Sequence, residues 1–473
     1  MGNGNHQPAA SDLITELSSY VVVCLEPRSG PKIGRGSSLG IATQPLQCNI
    51  CLTALSRCFL LLAVKLFEAL QRFTVLHMVI YSSTWPTWQV LLLPIALAQS
   101  ISEPNSAGYP LRIWQSIPAV NWNDSFLIGN GRLGAVVPGG AQVDTMHFNE
   151  DSLWSGGPLH RVNPSAASQI PIMQSYILRG MKDDPLLIES AATLASYAYV
   201  GTPVSTQHYD PLLDFTLSMN HGSDIVDYER WLDIGDSTTG IYYKVGDVAY
   251  EREILASEPA GLIAMRIAAN QSHAVSFSIH LDRLTESLNR WEGYSIPVGD
   301  DTVVMGGASE GMDPIVFAAG ARVIVTGGTV ETLGDYVICN NATEAHVYFQ
   351  AWTDYRQTDP KAAVMSDLAS ISQSYSDIRA AHVEDYQSFA NRTSLNFGTS
   401  SAAQKQMTTS DRMIAVTNGP FDPEVASLYF EYGRYLLIST SRSMEKSLPP
   451  NLQGIWNSDL DPMWGCRVRN NPS

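Results

Sequence analysis

Residues 126–158 read FLIGNGRLGAVVPGGAQVDTMHFNEDSLWSGGP, and the reading of this stretch decides the fold. Gly129, Gly131 and Gly134 spell G-x-G-x-x-G, the spacing of a dinucleotide-binding loop. Such a loop needs a helix opening on its last glycine, so that the helix N-terminus meets a pyrophosphate. Here Ala135-Val136-Val137 runs into Pro138-Gly139-Gly140, and proline followed by paired glycines stops a helix within a turn. The stretch is therefore read as a strand, a tight turn at 129–131, a second strand over 133–137 and another turn at 138–140.

Glu150 and Asp151 follow, with Trp154 and Ser155-Gly156-Gly157-Pro158 behind them. Carboxylates beside tryptophan on a glycine-rich loop suit a sugar, because carboxylates accept hydroxyl hydrogen bonds and indole covers the sugar's apolar face. The same residues also suit a loop whose acids bond backbone and whose tryptophan packs into the core, and both readings stay open.

Outward from this stretch the pattern is β. Runs at 241–244, 249–256, 262–267, 274–281, 302–305, 315–326, 335–339 and 345–352 are strand-like and separated by Gly, Asn, Asp and Pro. Phe317, Ala319, Ala321, Val323 and Val325 alternate as in a half-buried strand. Many short strands without intervening helices predict a sandwich. One helical interruption is expected over 170–199, with Leu186, Ser190 and Leu194 on one face.

The period then changes. Asp359-Pro360 is a helix start, and Leu368, Ile371, Tyr375, Ile378, His382, Tyr386 and Phe389 continue one apolar face. His382 on that face is read as a hydrogen-bonded packing residue. A second start at Asp422-Pro423 carries a stripe of Val425, Leu428, Tyr429, Tyr432 and Leu436 to about Ser441.

IGNGRLGAVVPGG followed by NEDSLWSGGP resembles the N-terminal signature of glycoside hydrolase family 95, whose typical members are inverting α-L-fucosidases. The resemblance continues through Asn163-Pro164, YDPLLDF (209–215), YERWL (228–232), YEREILAS (250–257), HVEDYQSF (382–389) and NLQGIWN (451–457), and covers about 111–466. Leu213 departs from it, standing where the family usually has glycine. The resemblance implies a mainly β chain: a large β super-sandwich over 110–357, a helical linker over 358–420, and the first part of an (α/α)6 barrel over 421–473. It implies hydrolysis of terminal α-L-fucosides on a fucosylated glycan, with no cofactor and no metal.

By the same resemblance Trp456, Asn457 and Trp464 are candidates for sugar contact, since aromatic rings and amides suit polyols; buried packing roles suit them equally. Residues 467–473 (RVRNNPS) depart from the family, which has an Asn-x-Asn pair here, whereas Asn470 and Asn471 are adjacent. The catalytic acid and base are expected beyond Ser473. The chain is accordingly expected to be inactive as written, with exposed apolar stripes on its last helices. Val468-Arg469 matches the translation of a common intron-donor sequence, so an unspliced end after Arg467 is expected. An α-L-galactosidase, a non-catalytic glycan-binding sandwich and a related phosphorylase are the alternatives.

A formal charge of −17 over 473 residues argues against nucleic acid as partner, and a neutral glycan is indifferent to it. Residues 1–77 fit poorly with the rest and hold Cys24, Cys48, Cys51 and Cys58. Their spacing lacks the second pair that a zinc site needs, so no metal is assigned. The apolar run at 59–64 is broken by Lys65, Glu68 and Arg72 before it spans a bilayer. From Met78 an apolar run at 90–98 ends in Ala96-Leu97-Ala98, the pattern of a cleaved secretory leader over 78–98. Sequons at Asn123, Asn270, Asn341 and Asn391 agree with a secreted, glycosylated protein. The reading thus expects a true start at Met78, with 1–77 an erroneous or alternative extension.

Overall fold

In the computed structural model the described residues are 101, 104 and 106–466, apart from 199, 202–206, 284–292, 310 and 312. The cysteine cluster before Met78, the leader-like segment at 78–98 and the departure at 467–473 lie outside them.

In chain order the strands and helices are β1 (Arg112–Gln115), β2 (Phe126–Gly129), β3 (Leu133–Val137), β4 (Val143–Glu150), α1 (Ala166–Lys182), α2 (Leu186–Ala198), β5 (Leu213–Met219), β6 (Ile225–Asp233), β7 (Thr238–Val245), β8 (Val248–Ser257), β9 (Leu262–Ala269) and β10 (Val275–Asp282). There follow β11 (Gly293–Val298), β12 (Thr302–Ala308), β13 (Val316–Thr326), β14 (Thr329–Leu333), β15 (Tyr336–Ala342), β16 (Glu344–Thr353), α3 (Pro360–Ser370), α4 (Tyr375–Ala390), α5 (Ala402–Lys405), α6 (Thr409–Asn418) and α7 (Pro423–Thr440).

The strands form a nine-stranded sheet ordered β1-β6-β7-β8-β9-β16-β13-β12-β11 and a seven-stranded sheet ordered β14-β15-β10-β5-β4-β3-β2. One core joins them: Phe148, Phe215 and Phe277 from the smaller sheet meet Ile254, Phe317 and Phe349 from the larger. Across that core Phe148 and Phe349 pack edge to face, with ring centroids 4.5 Å apart. The chain is a β sandwich followed by a helical region.

Three expectations need correction. The interruption between β4 and β5 is two helices, α1 and α2, because Pro185 forces the residue before it out of helical geometry. These helices pack on each other where Gly180 admits Ile188, and Leu186, expected on the packed face, is exposed. The face expected to run unbroken from 359 to 389 is divided between α3 and α4. The chain turns extended at Ile371, and Ser374 starts α4 by accepting the Asp377 N–H. Finally, the stripe of α3 and α4 is largely covered, whereas that of α7 is covered only in part, with Tyr429 exposed. Val364, Leu368, Tyr375 and Ile378 are buried with Leu255, Ala318 and Tyr348 of the larger sheet, and Leu428 and Tyr435 join the sandwich core. Both Asp-Pro starts form as read, with Asp359 and Asp422 accepting the backbone N–H of Ala362 and Val425. No helix among the described residues is long and apolar enough to cross a membrane.

Candidate functional site

The glycine signature lies where the sandwich meets the helical region. Gly131 takes φ +86°, and the Asn130 side chain closes the turn by accepting the N–H groups of Arg132 (3.0 Å) and Leu133 (2.7 Å). A Cβ on Gly129 would stand 2.5 Å from the Ser439 carbonyl oxygen, and one on Gly134 2.7 Å from Ile455 Cγ1. The glycines therefore admit the end of α7 and the 448–457 loop against β2 and β3, which fill the space a phosphate would need.

The two strongest motifs, NEDSLW and NLQGIWN, meet here. Asn149 and Asn457 exchange hydrogen bonds, the Asn149 amide donating to the Asn457 carbonyl (2.8 Å) and the Asn457 N–H to Asn149 Oδ1 (3.1 Å). Asn457 Nδ2 also donates to the carbonyls of Tyr209 (2.9 Å) and Asp459 (2.8 Å). Trp456 is buried on Val136 and Ile455 and donates its indole N–H to the Ile128 carbonyl at 2.8 Å. The Tyr209 hydroxyl reaches the Ile455 and Glu150 carbonyls (3.0 and 3.2 Å). Two of the three candidate sugar contacts, Trp456 and Asn457, thus bond to backbone within the seam. Trp464 falls in the short turn Met463–Cys466, whose Gly465 carbonyl accepts the Tyr209 N–H, and its side chain is not described.

Glu150 does not stand on a loop: it closes β4, and Asp151 follows it into the interior. Their exposures are 0 % and 7 %, so their charges require partners. Arg356 supplies them. One of its nitrogens lies 2.8 Å from Glu150 and 2.7 Å from Asp151, and the other lies 2.7 Å from the second Asp151 oxygen. Glu150 also accepts the Ser152 N–H (2.8 Å) and hydroxyl (2.6 Å). Arg132 stands 3.8 Å from Glu150, lies over the Trp352 ring, and donates to Gln350 at 2.7 Å.

Burial, then the neighbouring Glu150 charge, push the Asp151 carboxyl up to about 8 against the pull of Arg356. Burial also draws Arg132 down to about 10, with Glu150 opposing. Burial works to lower Arg356, but its bonds to Asp151 and the two acidic charges raise it.

Asp151, Trp154 and the 448–455 loop line a recess that is closed to water. His382, read as a packing residue, is buried with Nε2 3.0 Å from the Ser237 carbonyl, and burial lowers its pKa. The sequence reading missed Arg132, Tyr209 and Arg356. Its available signal was the acidic pair itself, since two carboxylates next to apolar residues call for cations.

Among the described residues no cluster of His, Cys, Asp and Glu has metal-site geometry. The four sequon asparagines, Asn123, Asn270, Asn341 and Asn391, are all exposed.

Sandwich, seam and helices together match families of sugar-cleaving enzymes. Residues 113–358 match the glycosyl hydrolase family 65 N-terminal domain, and 374–472 match the family 95 catalytic domain. The chain thus belongs to the proteins that carry the glycosyl hydrolase family 65 N-terminal domain, and its last part is similar to the family 95 catalytic domain.

Among curated relatives it is 28 % identical over 405 residues to "Probable alpha-fucosidase A" of Aspergillus niger, covering 79 % of this chain and 47 % of that protein. It is 29 % identical over 389 residues to "Alpha-L-fucosidase 2" of Arabidopsis thaliana, covering 75 % and 45 %. Against "Probable alpha-fucosidase A" of Aspergillus oryzae the identity is 26 % over 374 residues, covering 74 % and 50 %. The chain spans about half the length of the curated relatives it matches.

Proposed function

We propose that this chain is part of a glycosidase that releases terminal α-L-fucose from oligosaccharides with inversion. The observation that carries the reading is the similarity over about three quarters of the chain to three proteins named as α-fucosidases. Inversion requires an acid and a base about 6.5–9.5 Å apart, with room for water between them. Glu150 and Asp151 do not fit that role. They share one Arg356 nitrogen, so their bonded oxygens stand no farther apart than the sum of two hydrogen bonds, and the recess beside them is too small to hold the attacking water. The acid and base are therefore sought in the part of the relatives that this sequence does not match, and the described residues contribute the sandwich and its seam.

The test is hydrolysis of 2′-fucosyllactose, and of the matching α-L-galactoside, followed by proton NMR. The 473-residue chain alone is expected to release no sugar, and a gene product containing the remaining matched length to release β-L-fucose first. Fucose release by the 473 residues alone would refute the assignment of the acid and base. Faster release of galactose would move the specificity to the α-L-galactoside.

The proposal extends to secretion, with N-glycans at Asn123, Asn270, Asn341 and Asn391. Exposure of all four side chains supports it. A mass decrease of protein from the culture medium after treatment with an N-glycosidase tests it, and an unchanged mass refutes it.

A further inference from the structure

A cleft of about 490 Å³ opens at the far end of β4 from the seam, between the 118–125 loop and the 138–145 turn. His147, the lining residue of β4 nearest the seam, is three residues from Glu150 on the same strand, so the cleft begins about 10 Å from the acidic pair at 3.4 Å per residue. Its volume falls within the range of roughly 300–1,000 Å³ typical of small-molecule sites.

Trp122 forms part of the wall. Its ring is held against Val136 and Trp456, while its indole N–H is buried and has no hydrogen-bond partner among the described residues. Thr145 and His147 contribute from β4, and the exposed Gln142 side chain and Asn121 contribute at the rim.

The charges along the cleft are already matched within the protein. Asp144 is bound by Arg252 at 2.6 Å and by the Gly139 N–H at 3.1 Å, and His147 lies 2.6 Å from Asp214. An ionic ligand would find no free counter-charge there. An indole wall with amide and hydroxyl groups around it suits a ring that has an apolar face and a hydroxylated edge.

We infer that this cleft, whose Trp122 wall backs onto the seam, binds a short segment of a neutral oligosaccharide from solution. The inference stands on the cleft and not on the hydrolase reading, because binding is measured without turnover.

The experiment is saturation-transfer NMR on the full chain, with lactose, 2′-fucosyllactose, maltotriose and cellotriose as probes. At least one probe is expected to bind, and Trp122→Ala to weaken it by about tenfold, the scale of a lost aromatic contact. Gln142→Ala, at an exposed position, is expected to weaken it about threefold with unchanged circular dichroism, which separates lost contact from lost folding. No binding of any probe, or binding that both variants leave intact, overturns the inference. Asn123 stands beside Trp122, so Asn123→Gln is a third arm. Unchanged binding in that variant supports a soluble ligand. Binding that appears only in that variant means the chain's own glycan fills the cleft, and overturns it.

Discussion

Replacing Arg356 with methionine removes the cation that holds the acidic pair while keeping most of the side chain's length. Three short charged hydrogen bonds are lost, at 2.8, 2.7 and 2.7 Å, and Glu150 and Asp151 remain with Arg132 as nearest cation, 3.8 Å from Glu150. Breaking one side of a buried ion pair costs about 3–5 kcal/mol, because the charge left behind is neither hydrated nor paired.

The cost depends on pH in a defined direction. Asp151 is already pushed from 3.8 up to about 8 in the folded chain, and losing Arg356 pushes it further. A carboxyl whose folded pKa exceeds its unfolded value loses stability as pH rises from the unfolded value through the folded one. Parent and variant share that loss up to about pH 8, so the pH-dependent part of the Arg356→Met deficit should open only above it. Urea denaturation followed by tryptophan fluorescence, extrapolated to water at pH 7 and pH 9.5, measures it. Adding Asp151→Asn should recover at least about 1 kcal/mol at pH 9.5, since one unpaired charge disappears. A loss below about 1 kcal/mol at pH 9.5, or one equal at both pH values, would refute the view that Arg356 neutralises the pair.

Gly134→Ala should cost about 1–3 kcal/mol in the same assay, because its Cβ would stand 2.7 Å from Ile455 Cγ1; a neutral result would show that the 448–457 loop yields. Asn149→Ala should cost about 1–3 kcal/mol by leaving Asn457 groups unsatisfied, and limited proteolysis should then cut within 448–457 before it cuts the sandwich. Asp422→Asn should cost about 3–5 kcal/mol at neutral pH by breaking the buried pair with Arg412. For Asp422 burial works upward, yet Arg412, the Ser400 hydroxyl and the Val425 N–H leave the folded pKa lowered, so its contribution is present above the unfolded value of 3.8 and lost as pH falls through the folded value. The gap between Asp422→Asn and the parent chain should narrow toward pH 2, and a gap of constant size would exclude ionisation as its source.

Local chemistry made much of the fold legible. The refusal of 138–140 to continue a helix rejected the dinucleotide loop, and alternation located the long strands of the sandwich. Less visible were strands whose neighbours set their pairing, such as β1, β6 and β11, where a half-buried edge or a bulge hides the period of two. The division at 371–374 depends on one serine cap, which an apolar stripe running past it conceals.

The seam was only half legible. Its motifs stood out, but their meeting joins residues about 300 positions apart, such as Asn149 and Asn457, through contacts that neither stretch can express alone. The glycine spacing resembles a phosphate cradle because both purposes require bare backbone, and only the incoming Ser439 carbonyl and Ile455 side chain distinguish them.

The helical excursion between β4 and β5 bears on how this sandwich can vary. Those two strands pair directly although α1 and α2 separate them in the chain, and the two helices pack chiefly on each other. The entropy of closing such a connection grows only with the logarithm of its length, about 0.6 kcal/mol for each doubling. Shortening or extending the excursion would thus leave the β4–β5 ladder and its register almost untouched. Of the connections in the seven-stranded sheet, this one gives a lineage room to change the molecule's outline while the core stays as it is.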